Sequence, residues 1–311
     1  MPITDTQRRV AQAIVNIFET SSVRGDYSKV TLLEGDSGRL TYGRSQTTLA
    51  SGGLFKLISL YTRTAGAFFA DALSPFLPDL EDEAEALDRH LHFHNLLRAA
   101  ADDPVMRDTQ DAFFEEEYWD GATFIARRDS IETPLGVAVV YDSRVHGSWA
   151  TLRRRVNDNS GTVEQIGEQA WIAAYVEARH HWLANHRKEI LRRTVYRMET
   201  FRALIEHDEW ALEIPLVLRG FEINLETLNA LPRGVYDGPL PRSREITVTS
   251  PLLRGLDVRL VQLALSADGL PIRADGIYGR NSKGFVEAYQ RNHGLPVTGI
   301  VSLQDFEALD L

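Results

Sequence analysis

The sequence predicts a mainly helical chain with a small β-hairpin, an α+β arrangement, followed by a small three-helix C-terminal domain. Three observations carry this. Apolar residues recur at helical spacing along most of the first 230 residues. Two short β-prone runs flank Ser37-Gly38, as in a hairpin. The stretch Pro232 to Ser250 is rich in Pro, Gly and Ser and reads as a linker before a segment with its own helical pattern. The expected division is a domain at 1–232, a linker at 233–250 and a second domain at 251–311.

The first helix opens on a capping box, Thr4 followed three residues later by Gln7. Val10, Ile14, Ile17 and Phe18 form its buried stripe. Glu19 follows at once, and Thr20-Ser21-Ser22 stops the helix. The hairpin then runs Lys29-Val-Thr-Leu-Leu-Glu-Gly-Asp36, Ser37-Gly38, Arg39-Leu-Thr-Tyr-Gly43. Glu19 and Asp36 lie on different elements and can face each other across a cleft. Such a pair suits glycoside hydrolysis, where one carboxylic acid protonates the leaving oxygen and the other carboxylate activates water or attacks the sugar. A Glu leaving an apolar helix face is expected to be partly desolvated, which suits the acid's part, whereas a turn Asp stays wet. On spacing alone, a helix-end Glu and a turn-forming Asp is the commoner reading.

Beyond the hairpin, Leu49 to Ala72 is helix-like with a break at Ser51-Gly52-Gly53, and Pro75 and Pro78 end it. Leu80 to Ala101 is acidic and then helical, and carries His90, His92 and His94. His90 and His94 share a face that could ligate a metal, but no HExxH frame or third ligand accompanies them, so packing or solvated histidines are the favoured reading and no metal site is expected. Pro104 to Asp129 reads as one amphipathic helix, with Glu115-Glu116-Glu117 as a solvated face or the lining of a cationic substrate's path. Leu135 to Gly147 and Trp171 to Trp182 are further helices, and Tyr196 to Leu231 closes the first domain.

Composition narrows the function. The 311 residues are 43% apolar, enough for a large core. The formal charge of −10 argues against a general nucleic-acid binder and would attract a cationic polymer. There is no cysteine, hence no disulfide framework or thiolate metal site. No stretch is apolar enough to span a bilayer, and the N-terminus lacks a basic segment followed by an apolar core, so no signal peptide is expected. The chain is then a mature form, or it reaches a cell wall by a route that uses no signal peptide.

Glu19-Thr-Ser-Ser followed by Glu34-Gly-Asp-Ser-Gly-Arg-Leu-Thr-Tyr-Gly43 resembles the catalytic segment of the chitosanases of glycoside hydrolase family 46, within the lysozyme-like superfamily. The resemblance implies a two-lobed lysozyme-like catalytic domain that inverts the anomeric centre. It assigns Glu19 as general acid, Asp36 as general base and Thr41 as a holder of the attacking water, with Arg39, Tyr42 and Gly53 in the substrate cleft. Leu135 to Gly147 is similar to the family's Tyr-Asp helix, with one residue fewer between Asp142 and His146, and Glu177-Ala-Arg179 to its Asp-Ala-Arg helix. This implies a charge network behind the acid formed by Asp142 and Arg179, joined by Arg197 or Arg202; the alternative is an ordinary interhelical salt bridge. The resemblance covers roughly residues 5–230. Aligned without gaps from Thr41, the family's amine-recognising Asp falls on Gly53.

The last 60 residues closely resemble the peptidoglycan-binding three-helix module. They carry Val-Gln-Leu in a first helix, Asp275-Gly-Ile-Tyr-Gly279, the pair Tyr289-Gln290 and Gly294-Leu-Pro-Val-Thr-Gly, with Tyr289 and Thr298 as mild departures. Together the two resemblances imply a cell-wall glycan hydrolase that cuts β-1,4 bonds between amino sugars, foremost in peptidoglycan. An endo-chitosanase and a non-catalytic wall-binding protein are the alternatives. No cofactor is expected. The partner is a polysaccharide, peptidoglycan or chitosan, and neither nucleic acid nor membrane. The chain is expected to act as a monomer at the cell wall, with an immunity or secretion protein as a further partner.

Overall fold

The computed structural model describes residues 3–32, 38–44 and 46–311. Its principal elements are α1 (Asp5–Thr20), β1 (Val30–Thr31), β2 (Thr41–Tyr42), β3 (Thr47–Thr48), α2 (Gly53–Thr62), α3 (Leu91–Ala100), α4 (Pro104–Phe114), α5 (Asp120–Arg128), α6 (Pro134–His146), α7 (Trp149–Ser160), α8 (Glu168–Ala184), α9 (Tyr196–Glu206), β4 (Leu216–Leu218), β5 (Phe221–Ile223), α10 (Leu256–Ala267), α11 (Arg280–Asn292) and α12 (Leu303–Ala308). They divide into two compact units, residues 1–25 with 114–230 and residues 26–113 with 231–311. The chain is mainly helical with a small antiparallel sheet, as the sequence predicts.

In the first unit, α1 begins on the predicted capping box, with Thr4 and Gln7 satisfying each other's backbone N–H groups. It ends where Ser21 turns left-handed at φ 53 and donates its N–H to the Ile17 carbonyl. The stripe Val10, Ile14, Ile17 and Phe18 is buried in a core shared with α6, whose residues from Leu135 to Ser143 are all buried. A helix buried on every side belongs at the centre of its unit, and α6 fills that place. The single helix expected over 104–129 is divided by a π-helical turn at Glu115–Trp119.

In the second unit the hairpin strands pair antiparallel, Val30 opposite Tyr42 and Thr31 opposite Thr41. A third strand, β3, pairs with β2; two residues are too few for a periodic signal. Leu40 and Tyr42 point inward to join Leu54, Leu57, Phe93 and Leu97 in a core.

The segment read as a linker is tied down along this unit. Val235 is buried with Tyr27 and Ala101, the Tyr236 N–H donates to Asp102 Oδ1 at 2.8 Å, and Ile246 is buried in the C-terminal module. The module, α10 to α12, has its own core around Val258, Val261, Leu265, Tyr278 and Phe306. Its turn motif is structural: Gln262 Oε1 accepts the Gly276 N–H at 2.7 Å. Gly276 has φ 73, and a Cβ there would stand 2.3 Å from the Tyr236 ring, so only glycine fits.

α10 also packs on α3. Leu260 enters the Leu40–Leu97 core, with Leu256 and Leu263 beside it. Asn95, fully buried, donates to the Ile272 carbonyl at 2.8 Å and accepts the Ala274 N–H at 2.9 Å. Arg259 is 2% exposed and donates to the carbonyls of Arg98 (2.7 Å) and Gly234 (2.6 Å) and to Asp102 Oδ1 (3.1 Å). Paired polar groups in an apolar seam fix one docking geometry, because every alternative leaves them unsatisfied.

Candidate active site

The last turn of α1 is clamped by the start of α9. Phe18 packs edge-on against Tyr196 and Phe201, and the Tyr196 hydroxyl donates to the Phe18 carbonyl at 2.9 Å, capping an otherwise unpaired helix-end acceptor. The next residue, Glu19, therefore leaves the core in a fixed direction. Its side chain is 37% exposed and accepts a hydrogen bond from Arg197 Nη2 through Oε1. Glu19 is thus only partly withdrawn from water, and its buried neighbour is the Arg197 guanidinium. The helix ends one residue later, which lifts the carboxylate out of the apolar stripe.

Behind this pair lies a buried network. Arg197, 2% exposed, donates its other fork nitrogen to Asp142 Oδ1, and its guanidinium carbon stands 5.2 Å from the Phe18 ring centre. Asp142 Oδ2 accepts from Arg179 Nη1 at 2.6 Å, and both residues are fully buried. Arg179 also donates to Ser143 Oγ at 2.9 Å and to His146 Nδ1 at 3.1 Å. Burial alone would raise the Asp142 pKa, but the Arg197 and Arg179 charges outweigh it and hold the carboxyl below its ordinary value. Burial likewise works against the Arg197 charge, and Asp142 and then Glu19 more than offset it, so its pKa is raised. Burial, then Arg197 and Arg179, push the His146 imidazole down to about 4 against the pull of Asp142.

Sequence reasoning brought Asp142, Arg179 and Arg197 to this network and left Arg202 as an equal candidate. Arg202 is elsewhere: it pairs with Glu177 at 2.6 Å on the surface. Ser143 and His146 were missed as members, although their positions one and four residues after Asp142 put all three on one face of α6.

The remaining candidates belong to the second unit. Asp36 lies outside the described residues. Thr41 is 7% exposed, on β2, with its hydroxyl donating to the Arg39 carbonyl at 3.2 Å. Arg39 is held by Asp88 at 2.8 Å and by the Glu83 carbonyl at 2.6 Å. Tyr42, expected in the cleft, is fully buried in the core instead, because the strand's alternation turns Leu40 and Tyr42 inward together. Gly53 opens α2, and a Cβ there would meet Ser51 Oγ at 3.1 Å, with Thr47 carbons next at 3.9 Å. A Cβ would be accommodated after a small shift of Ser51, so the backbone does not demand glycine at 53.

Gln110 supports β2 and was missed as well. Its amide accepts the Arg44 N–H at 2.9 Å and donates to the Tyr27 carbonyl at 3.1 Å. Each of the three histidines has structural work. His90 Nδ1 caps α3 through the Phe93 N–H at 3.1 Å, His94 bonds the Leu87 carbonyl at 2.9 Å, and His92 meets Ser266 at 2.9 Å. Among the described residues no group of three or more His, Asp or Glu could hold a metal ion.

An exposed carboxylate at a helix end, backed by a buried Asp–Arg network, on a mainly helical fold with a small sheet is an arrangement that suits the acid of a glycoside hydrolase. Residues 13–216 match glycosyl hydrolase family 46, and the chain belongs to that family. Residues 254–309 match the putative peptidoglycan binding domain. The fold is similar to that of the native chitosanase from Bacillus subtilis MY002, at 24% identity over 71% of this chain and 100% of that one, with a TM-score of 0.61. A mutant of the Bacillus subtilis MY002 chitosanase in complex with 6 GlcN is 25% identical over 70% of this chain and 95% of that one, with a TM-score of 0.59. The Gynuella sunshinyii chitosanase in complex with chitotetraose is 22% identical over 71% and 98%, with a TM-score of 0.59. No curated protein matches the chain. The protein is thus a chitosanase-like glycan hydrolase joined to a peptidoglycan-binding domain, and its substrate is a polysaccharide. Among the described residues no helix is long and apolar enough to cross a membrane.

Proposed function

We propose that the N-terminal domain, 1–232, cleaves β-1,4 bonds between the amino sugars of peptidoglycan by inverting acid/base catalysis, while the module at 251–311 holds the enzyme on the wall. Glu19 gives its proton to the leaving oxygen, Asp36 takes a proton from the attacking water, and Thr41 helps hold that water. An inverting displacement requires room for a water molecule on the sugar's far face, where the base acts. The observation that carries this reading is the fixed, exposed Glu19 carboxylate with Arg197 and Asp142 behind it. The module adds local substrate concentration and no new chemistry. We place the enzyme at the cell wall, as a monomer, with an immunity or secretion protein as a further partner.

Two features favour peptidoglycan over chitosan. The C-terminal domain matches a peptidoglycan-binding family, and Gly53 offers no carboxylate where the family recognises an amine. Lack of such a charged partner costs about 1.5–3 kcal/mol of binding to an ammonium. The second reading is an endo-chitosanase, favoured by the glucosamine oligomers bound to the similar chitosanases and by the charge of −10.

Product analysis by mass spectrometry decides between them, with purified peptidoglycan and chitosan offered separately beside a Glu19→Gln control. The proposal predicts Glu19-dependent muropeptides from peptidoglycan alone. Glucosamine oligomers from chitosan alone would establish the second reading.

A further inference from the structure

The network behind Glu19 does not stop at the aspartate. We propose that His146, with Ser143, is a positioning residue that sets the orientation of the Arg179 guanidinium, and through Asp142 and Arg197 the direction of the Glu19 carboxylate. This rests on the reading of Glu19 as the general acid.

Arg179 reaches α6 from α8 and is fully buried, so its fork takes its direction from its hydrogen-bond partners. Nη1 is shared by Asp142 Oδ2 and Ser143 Oγ, and Nη2 goes to His146 Nδ1 at 3.1 Å. Ser143 is itself fixed, its hydroxyl donating to the Val139 carbonyl at 2.7 Å. A guanidinium can only donate, so His146 Nδ1 must be an unprotonated acceptor, and the ring carries its proton on Nε2. The depressed imidazole pKa described above agrees with that neutral state.

Without the Nδ1 acceptor, Nη2 has no partner there, and the planar fork is free to rotate about its Nη1 contacts. Asp142 is gripped by one guanidinium on each oxygen, so a turn of the first is passed to Arg197 and to the Glu19 oxygen that Arg197 holds. Small misplacements of a reacting group are expensive in rate and cheap in binding. The expected signature is therefore a loss in kcat with KM unchanged.

The test compares His146→Leu with His146→Asn in the full chain, on whichever of peptidoglycan or chitosan the wild type cleaves in a Glu19-dependent way. Leucine removes the acceptor, whereas the asparagine carbonyl stands close to where Nδ1 was. Rates are taken per folded molecule from circular dichroism. The inference predicts that kcat falls about tenfold in His146→Leu at unchanged KM and returns to within about twofold of wild type in His146→Asn. Unchanged kcat in His146→Leu, or equal losses in both variants, would overturn it. If Glu19→Gln leaves hydrolysis intact, the failure lies in the reading of Glu19 and not in the link from His146.

Discussion

Each compact unit holds a buried aspartate gripped by arginine, and the two are built differently. In the first unit Asp142 has both oxygens paired, one with Arg197 and one with Arg179. Its carboxyl is held down, and the network ends at an exposed glutamate. In the second unit Asp102 spends one oxygen on both Arg259 and the Tyr236 N–H, and its Oδ2 finds no partner among the described residues. Burial outweighs Arg259 there and pushes the Asp102 pKa up to about 7. The same residue pair thus serves two ends. Complete pairing keeps a charge in place and holds the exposed Glu19 carboxylate through Arg197, whereas partial pairing pins a domain seam and leaves a titratable acid inside it.

The largest effect is expected from removing the seam. A chain cut after residue 232 loses Leu260, Arg259 and the partners of Asn95. Burial and pairing together put this on the order of 5 kcal/mol. A fall in melting temperature, or insolubility, is the expected outcome; an unchanged melting temperature would show the seam contributes nothing. Next is Asp142→Leu, which leaves two buried guanidiniums without their carboxylate and costs about 3–5 kcal/mol in urea unfolding.

A third contrast is in pH. The Asp102 carboxyl titrates at about 7 when folded against an ordinary 3.8. The native state then keeps a proton that the unfolded chain has released. Its contribution to stability is fully present below 3.8 and is lost as pH rises through about 7, a change on the order of a few kcal/mol. His146 runs the other way: folded at about 4 against an ordinary 6.5, it contributes above 6.5 and the contribution is lost as pH falls through about 4. Asp102→Asn abolishes the first slope and keeps the second, so its unfolding free energy rises from pH 4.5 to pH 7 more steeply than the wild type's. Parallel profiles for the two proteins would contradict this assignment. The smallest effect is expected of Arg202→Ala. Its exposed pair with Glu177 is worth about 0–1 kcal/mol, and both rate and stability should stay near wild type.

These clusters also show what was legible in the sequence. The capping box, the apolar stripe and the stop at Thr20-Ser21-Ser22 fix α1 and place Glu19, because each is a local signal. Asp142 and Arg179 could be named from resemblance to a family pattern. Arg197 and Arg202 could not be separated, since five residues along one helix put them on different sides and only packing decides which side is inward. Tyr42 was misplaced for a similar reason, a strand too short to show its alternation. The Pro, Gly and Ser of 232–250 hid a docked segment, because the contacts that fasten it come from single residues, Val235, Tyr236 and Ile246, whose partners lie far away in sequence.

The most direct test of this division of labour sets Arg197→Met beside Arg259→Met. Stability and initial rate per folded molecule are measured on the glycan that the wild type cleaves. This division predicts that Arg197→Met loses about a hundredfold in rate, whereas Arg259→Met loses stability and keeps the wild-type rate per folded molecule. A full rate in Arg197→Met, with the loss of activity appearing in Arg259→Met, would contradict it.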